Sequence, residues 1–230
     1  INLFLSNHAT LTVNGTPVIL EQKTNYPWSG DIRIRILEGD IPFTMNLRIP
    51  GWVRNEVLPS DLYRYADEQK PNYTVSVNGN SIEEELQKGY LQINRKWEKD
   101  DLVEIHFDMP PRIVKANDHV IDDLGRIAIE RGPIVYCAEW PDNDFNIHNI
   151  LLNQHPSFQV KEMKDKLCGI HEITTPAQSL SYTADGKLTT EDVTLTLIPY
   201  YAWAHRGEGN MQVWLPIELR ASSAQSQKNP

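Results

Sequence analysis

The stretch at residues 89–111, GYLQINRKWEKDDLVEIHFDMPP, gives the clearest indication of the fold. It contains two alternating runs, at residues 90–93 and 102–107, with a charged segment at residues 98–101 between them. A period of two is typical of a half-buried strand in an antiparallel sheet. Proline cannot donate to a strand ladder, so Pro110 and Pro111 end the second run. The stretch is therefore predicted to be a β-hairpin without chemistry of its own, and its second run is expected to bury Val103, Ile105 and Phe107.

The same alternation recurs on both sides of this stretch. Residues 31–36, 44–49, 74–77, 192–198 and 211–215 are predicted strands, and residues 126–130 and 133–138 a strand pair about Arg131-Gly132. Asn14-Gly15 and Asn78-Gly79 are two-residue hairpin signals. Ser60 is positioned to cap one short helix at residues 60–69, and residues 141–190 are expected to be irregular. About ten short strands and no long segment of period 3.6 predict an all-β protein.

The likeliest domain boundary from the sequence is the Pro110-Pro111 pair. We predict two consecutive antiparallel β-sandwich domains, at residues 1–110 and 111–220. The polar segment at residues 221–230 is expected to be a disordered tail.

Composition excludes several classes of protein. The 230 residues carry a net charge of −9 with both signs interspersed, which argues against a nucleic-acid-binding protein. No apolar run approaches the roughly 18 residues of a membrane-spanning helix, and no signal peptide is visible. Because the chain begins at Ile1, we expect it to be processed or excised from a longer protein. Cytoplasm and periplasm both stay open.

Motifs for catalysis and metal binding are sparse. Cys137 and Cys168 could pair, but are expected to be buried thiols. Asp142, Asp144 and Asn146 are spaced like calcium ligands, yet the following positions lack the glycine and glutamate of such a loop, so a solvated acidic loop is expected. Residues 83–85, all glutamate, alternate between faces on a strand and are interpreted as a charged edge. No metal site is predicted in this chain.

One aromatic cluster is a candidate carbohydrate contact. It comprises Tyr200, Tyr201, Trp203, His205 and Arg206. Aromatic faces stack on sugar rings, and a guanidinium can donate to hydroxyl groups. The alternative is core packing beside an unusual loop, and burial at a core or domain seam is the expectation for the other tryptophans.

Several stretches in order resemble the C-terminal part of glycoside hydrolase family 127, the β-L-arabinofuranosidase family. They are LRIPGW at residues 47–52, VNG at 77–79, GYLQINRKW at 89–97, RIAIERGPIVYCAE at 126–139 and IPYYAWAHRGEGNMQVWLP at 198–216. Asp100-Asp101 departs from the Gly-Asp that the family has after the tryptophan, which changes a turn and nothing catalytic.

The resemblance implies that a catalytic (α/α)6 helical barrel precedes two β-sandwiches. In that family the barrel carries a cysteine nucleophile near a zinc ion, and a glutamate acid/base. Neither Cys137 nor Cys168 matches those motifs, so no catalytic residue and no metal ligand is carried over. The zinc is expected in the missing barrel, and this chain alone is expected to be inactive.

Three hypotheses follow. In the first, the chain is the accessory region of a bacterial family 127-type glycoside hydrolase acting on plant-type glycans, where it braces the barrel and edges the substrate cleft. In the second it is a carbohydrate-binding module, which requires exposed rings. In the third it is a structural domain that makes subunit contacts in an oligomer.

Overall fold

The computed structural model describes residues 1–68, 70 and 72–218. The predicted tail at residues 221–230 lies outside them. The strands are β1 Asn7–Val13, β2 Thr16–Thr24, β3 Asp31–Glu38, β4 Ile41–Arg48, β5 Tyr63–Tyr65, β6 Tyr73–Val77, β7 Asn80–Ser81, β8 Tyr90–Trp97, β9 Leu102–Phe107, β10 Pro111–Ala116, β11 Arg126–Arg131, β12 Ile134–Glu139, β13 Ile150–Leu152, β14 Gln159–Met163, β15 Ile170–Tyr182, β16 Leu188–Pro199, β17 Met211–Gln212 and β18 Leu215–Pro216.

The all-β prediction of antiparallel sandwich domains is confirmed. Within the described residues the only helical elements are short 3₁₀ turns, at Gly51–Arg54, Ile121–Asp123, Trp140–Asp142 and Tyr200–Ala202. The chain divides into two compact units. One comprises Ile1–Arg112 with Glu130–Ile134, and the other comprises Ile113–Ile129 with the residues from Val135 onward.

The first unit contains two antiparallel sheets. One has the strand order β1-β2-β3-β9-β6-β7, and the other is the pair β4-β8. The alternation predicted from the sequence places its apolar residues in the core, since Ile34, Leu47 and Val103 are each fully buried. At the β1–β2 turn, Asn14 and Gly15 have φ values of 51° and 83°, which suit the predicted tight turn.

The predicted hairpin at residues 89–111 is wrong. β8 pairs with β4, whereas β9 pairs with β3 and β6 in the other sheet. The segment between them crosses from one sheet to the other, and the buried Asp101 carboxylate holds it by accepting from the Glu98 N–H at 2.8 Å and from the Asn78 amide at 2.6 Å. A period of two specifies which face of a strand is buried but not which sheet the strand joins.

The short helix predicted at residues 60–69 is also absent from the described residues there. Ser60 Oγ accepts from the Leu62 N–H at 3.3 Å, and the chain then enters β5. A serine that accepts from a nearby backbone amide can form a local turn as readily as it caps a helix, and here the turn is formed.

The second unit is built on a sheet in which the strands follow the order β13-β15-β16-β12-β11-β10. β14 lies beside β15, β17 beside β12, and β18 beside β11. The prediction of irregular structure at residues 141–190 is wrong, because this region contains β13, β14 and the 13-residue strand β15. A turn at Asp185-Gly186 joins β15 to β16 in a long antiparallel hairpin.

Candidate functional site

The candidate carbohydrate contacts lie on one loop of the second unit, directly after β16. The end of β16 is fixed in the core, since Leu197 and Ile198 are fully buried. The chain then forms the 3₁₀ turn Tyr200–Ala202, in which the Trp203 N–H donates to the Tyr200 carbonyl at 3.3 Å. Ala202 points into the core and is 1% exposed. A small buried residue between two aromatic ones therefore directs the aromatic rings away from the core.

The rings of Tyr200 and Trp203 are stacked on each other. Their planes are 10° apart, and their centroids are separated by 6.3 Å. Tyr200 is 42% exposed, Trp203 38% and Tyr201 59%. Exposed aromatic faces stack on the apolar faces of sugar rings, and these three residues are exposed and not buried in the core. His205 is exposed on the same loop.

Arg206, by contrast, is directed inward and holds the loop in place. Its Nη1 and Nη2 atoms donate to the two Asp142 carboxylate oxygens at 2.7 and 2.5 Å, and Nη2 also donates to Glu139 Oε2. The Ala204 N–H donates to the other Glu139 oxygen at 2.8 Å. Both carboxylates are buried, with 2% and 6% of their side chains exposed. Arg206 is therefore occupied by an ion-pair network and not presented to a ligand.

Asp142, the first residue with calcium-like spacing, was expected in a solvated loop, and this expectation is wrong because its side chain is 6% exposed and held in ion pairs. Lys166 Nζ lies 2.5 Å from Asp142 Oδ1 and 2.5 Å from Glu172 Oε2. Burial pushes the pKa of Asp142 upward, but the hydrogen bonds from Arg206 and Lys166 outweigh it and keep that pKa below its usual value. The described residues contain no group of three His, Cys, Asp or Glu side chains that could hold a metal ion. The glutamates at residues 83–85 are exposed as expected, but they lie outside any strand and not on a strand edge.

Trp140 lies next to this loop, although burial in the core or at a domain seam was expected for it from the sequence. It is 43% exposed, and its backbone N–H donates to the Asn210 carbonyl at 3.1 Å. A Cβ on Gly209 would lie 1.9 Å from the indole ring, so only glycine permits this close approach. The expectation of burial is wrong for Trp140 but confirmed for Trp52 and Trp97. No local pattern in the sequence could have identified Trp140, because the contacts of its neighbour Glu139 with the loop span 65 and 67 positions.

The two cysteines differ in exposure, and the buried one is a poor nucleophile. Both are free, Cys137 buried and Cys168 exposed. The expectation of two buried thiols thus holds for Cys137 and is wrong for Cys168, which lies in a turn with φ 64°. Burial, with the nearby charges of Glu139 and Asp142, raises the pKa of the Cys137 thiol to about 12. A thiol with that pKa supplies almost no thiolate at neutral pH.

The first unit contains a buried titratable cluster beside a cleft. Tyr65 donates its hydroxyl proton to Glu130 Oε2 at 2.9 Å. The Arg112 guanidinium lies 3.5 Å from the centroid of the Tyr65 ring and donates to Asn55 and Asp67 at 2.6 Å each. Burial raises the pKa of Glu130 to about 7. The adjacent cleft has a volume of about 540 Å³, and Glu130 forms part of its lining.

The described residues include no helix that is long and apolar enough to cross a bilayer.

Comparisons with known proteins cover nearly all of the chain. Residues 1–109 match the family model of the β-L-arabinofuranosidase GH127 middle domain, and residues 111–216 match that of the glycoside hydrolase family 127 C-terminal domain. A non-reducing end β-L-arabinofuranosidase of Bifidobacterium longum subsp. longum is 32% identical over 92% of this chain and 32% of its own length.

Solved structures give the same result. The structure of a GH127 β-arabinofuranosidase is 65% identical, with a TM-score of 0.92 over 94% of this chain and 34% of its own. That of a GH127 β-L-arabinofuranosidase from Geobacillus stearothermophilus T6 is 33% identical, with a TM-score of 0.80 over 93% of this chain and 33% of its own. The chain thus spans about a third of the length of these relatives. It belongs to glycoside hydrolase family 127, of which it comprises the middle and C-terminal domains.

Proposed function

We propose that this chain is the non-catalytic accessory region of a bacterial β-L-arabinofuranosidase, and that it braces a helical-barrel catalytic domain elsewhere in the same protein. The observation that carries this proposal is the match of residues 1–109 and 111–216 to the two non-barrel domains of the family. Relatives named for arabinofuranosidase activity are about three times as long as the region they share with this chain.

The zinc ion that the family implies is assigned to the barrel as part of this proposal. The side chains present here do not suit it: the one buried cysteine, Cys137, has a pKa of about 12, and the described residues provide no three-ligand cluster. No step of the reaction is therefore assigned to a residue of this chain.

The test is the activity of the full-length protein against chromogenic glycosides. We expect release of the chromophore from the β-L-arabinofuranoside, and much slower release from the α-L-arabinofuranoside and from the β-L-arabinopyranoside. Inactivity on the β-L-arabinofuranoside by a folded, zinc-loaded protein would overturn the proposed activity.

A second function is favoured by the exposed rings of the loop after β16. We propose that Tyr200, Tyr201 and Trp203 contact a glycan, with His205 beside them and Arg206 positioning the loop. The supporting observation is that all three aromatic residues are exposed, with the rings of Tyr200 and Trp203 stacked on each other. Six-membered and five-membered sugar rings both present a C–H face that can stack on an exposed aromatic ring.

Glycan binding is tested by a glycan array with purified protein carrying Tyr201→Ala or Trp203→Ala. Tyr182→Ala is the matched control, because Tyr182 is an aromatic residue of the same unit that is 74% exposed and lies on another strand. Loss of binding to arabinose-containing glycans in the first two variants alone would support the proposal. Equal binding by all three variants would remove the loop from glycan recognition and leave bracing or subunit contact as the role of this unit.

A further inference from the structure

Ile1 is bonded to β4 as a residue of a neighbouring strand. Its nitrogen donates to the Asn46 carbonyl at 2.5 Å, and the Arg48 N–H donates to the Ile1 carbonyl at 3.0 Å. Ile1 is thus hydrogen-bonded to both sequence neighbours of Leu47, which is the slanted hydrogen-bond pattern of parallel strands. Ile1 therefore lies beside Leu47, with its chain running in the same direction as β4.

The edge of β4 that Ile1 contacts is otherwise open. On its other edge, β4 pairs with β8 throughout its length, and the Ile49 N–H continues this ladder by donating to the Gly89 carbonyl at 2.9 Å. Alternate residues of a strand direct their backbone groups to opposite edges. The groups of Thr44 therefore point the same way as those of Asn46 and Arg48, toward Ile1. In the described part of the chain, nothing pairs with the backbone of Thr44 or with the Asn46 N–H at this edge.

An open edge of this kind is a template for one more strand. The direction of that strand is already set by Ile1, and its length is limited because Pro42 has no N–H to offer. The inner face of the sheet at this point is apolar, since Met45 and Leu47 are buried.

We propose that the residues immediately preceding Ile1 in the full-length protein form a third strand on the β4–β8 sheet, parallel to β4, which accepts from the Asn46 N–H and donates to the Thr44 carbonyl. This inference rests on the proposed function, because that function requires a longer chain. The occupant is the protein's own chain and not a second copy, because Ile1 already occupies one end of the edge and fixes both register and direction. The strand fastens the connection from the upstream domain to the first unit.

The experiment is amide hydrogen exchange on the full-length protein, resolved to single residues. Met45 and Leu47 serve as internal references, since their N–H groups face β8 in every case. We expect the Asn46 amide to exchange as slowly as that of Met45. Exchange of the Asn46 amide at the rate of an exposed edge residue, with Met45 protected, would overturn the proposal.

A pair of substitutions in the same protein gives a second readout. Asn46→Ala and Asn46→Pro both remove the hydrogen bond from Gln92 Nε2 to Asn46 Oδ1, but only proline removes the N–H. We expect a lower midpoint of thermal unfolding for Asn46→Pro than for Asn46→Ala. Equal midpoints would contradict the third strand.

The failure of this inference is distinct from the failure of the proposed function. An active arabinofuranosidase with an unprotected Asn46 amide would refute the strand alone. A protected amide in a protein without arabinofuranosidase activity would refute the activity alone.

Discussion

Glu130 is a buried carboxyl whose proton affinity couples stability to pH. The residue is 8% exposed. Burial raises the pKa of its carboxyl to about 7, although the Tyr65 hydrogen bond and the Arg112 charge both oppose that rise. The folded state therefore binds this proton more tightly than the unfolded state, whose pKa is about 4.5. It follows that the contribution of Glu130 protonation to the free energy of unfolding is fully present below about pH 4.5 and is lost as the pH rises through 7.

Glu130→Gln removes this titration and keeps an acceptor for the Tyr65 hydroxyl. Relative to the parent, we expect the variant to gain on the order of 3 kcal/mol of unfolding free energy between pH 4 and pH 8. Urea unfolding at both pH values measures it. Parallel pH profiles for the two proteins would contradict the assigned pKa.

Arg112 is buried in the same cluster, with 6% of its side chain exposed. Arg112→Ala leaves its partners Asn55 and Asp67 without their donor and removes the cation from the Tyr65 ring. We expect a loss of about 1.5–3 kcal/mol in the unfolding free energy, the usual value of hydrogen bonds to a charged group, because the Asp67 side chain is itself 47% exposed.

Arg33→Ala is the control, because Arg33 pairs with Glu104 but is 70% exposed. It should cost less than about 1 kcal/mol. Equal losses for the two variants, measured by denaturant unfolding, would show that the Arg112 cluster contributes no more than a surface pair.

The sequence identified the aromatic loop but not the roles within it. The spacing of Tyr200, Tyr201 and Trp203 placed three rings together, and the structure exposes all three. Arg206 looked like a ligand-binding residue because its partners, Glu139 and Asp142, lie more than 60 positions away along the chain. Long-range ion pairs leave no local pattern, so this role could be found only from the fold.

At the scale of the element, Gly30 determines how closely β3 and β9 approach. A Cβ at Gly30 would lie 1.9 Å from the Phe107 carbonyl oxygen, which belongs to the backbone and cannot rotate away. The Gly30 carbonyl itself accepts from the Phe107 N–H at 3.1 Å. Gly30→Ala should therefore force the two strands apart at their ends.

We expect Gly30→Ala to lower the unfolding free energy by more than about 2 kcal/mol. Gly15→Ala is the matched comparison, since Gly15 has φ 83° and a Cβ added there would meet no atom within 4 Å. Gly15→Ala should lower the unfolding free energy by only about 1 kcal/mol, because alanine is strained in the left-handed backbone conformation but meets no other atom. A thermal midpoint for Gly30→Ala at or above that of Gly15→Ala would contradict the close approach.

Strands with one buried face were predictable, and strands without one were not. Alternation identified β3, β4 and β9, whose apolar residues face the core. β14 has four consecutive exposed residues, so its sequence carries no alternation, and it was missed. β15 includes Pro176 and a largely polar second half, so its sequence does not look like that of a long strand. It forms one because it pairs with β16 along most of its length. The partner of β8 was not predictable either, because β8 pairs with β4, which is distant from it in the sequence.

At the scale of the whole molecule, we propose that this chain has a supporting role and that catalysis takes place in another part of the same protein. Its two units match the middle and C-terminal domains of family 127. Burial keeps the Cys137 thiol protonated, and the described residues contain no three-ligand metal cluster. Support, connection and glycan contact are the roles proposed for this chain. The chemistry is proposed for the part of the protein that the relatives have in addition.

The measurement that tests this division most directly is hydrolysis of a chromogenic β-L-arabinofuranoside, with equal molar amounts of the full-length protein and of the folded 230-residue chain. We expect turnover by the full-length protein and no turnover above the uncatalysed rate by the chain alone. Turnover by the chain alone, retained after repeated purification, would place a catalytic site in these domains and contradict the proposed accessory role.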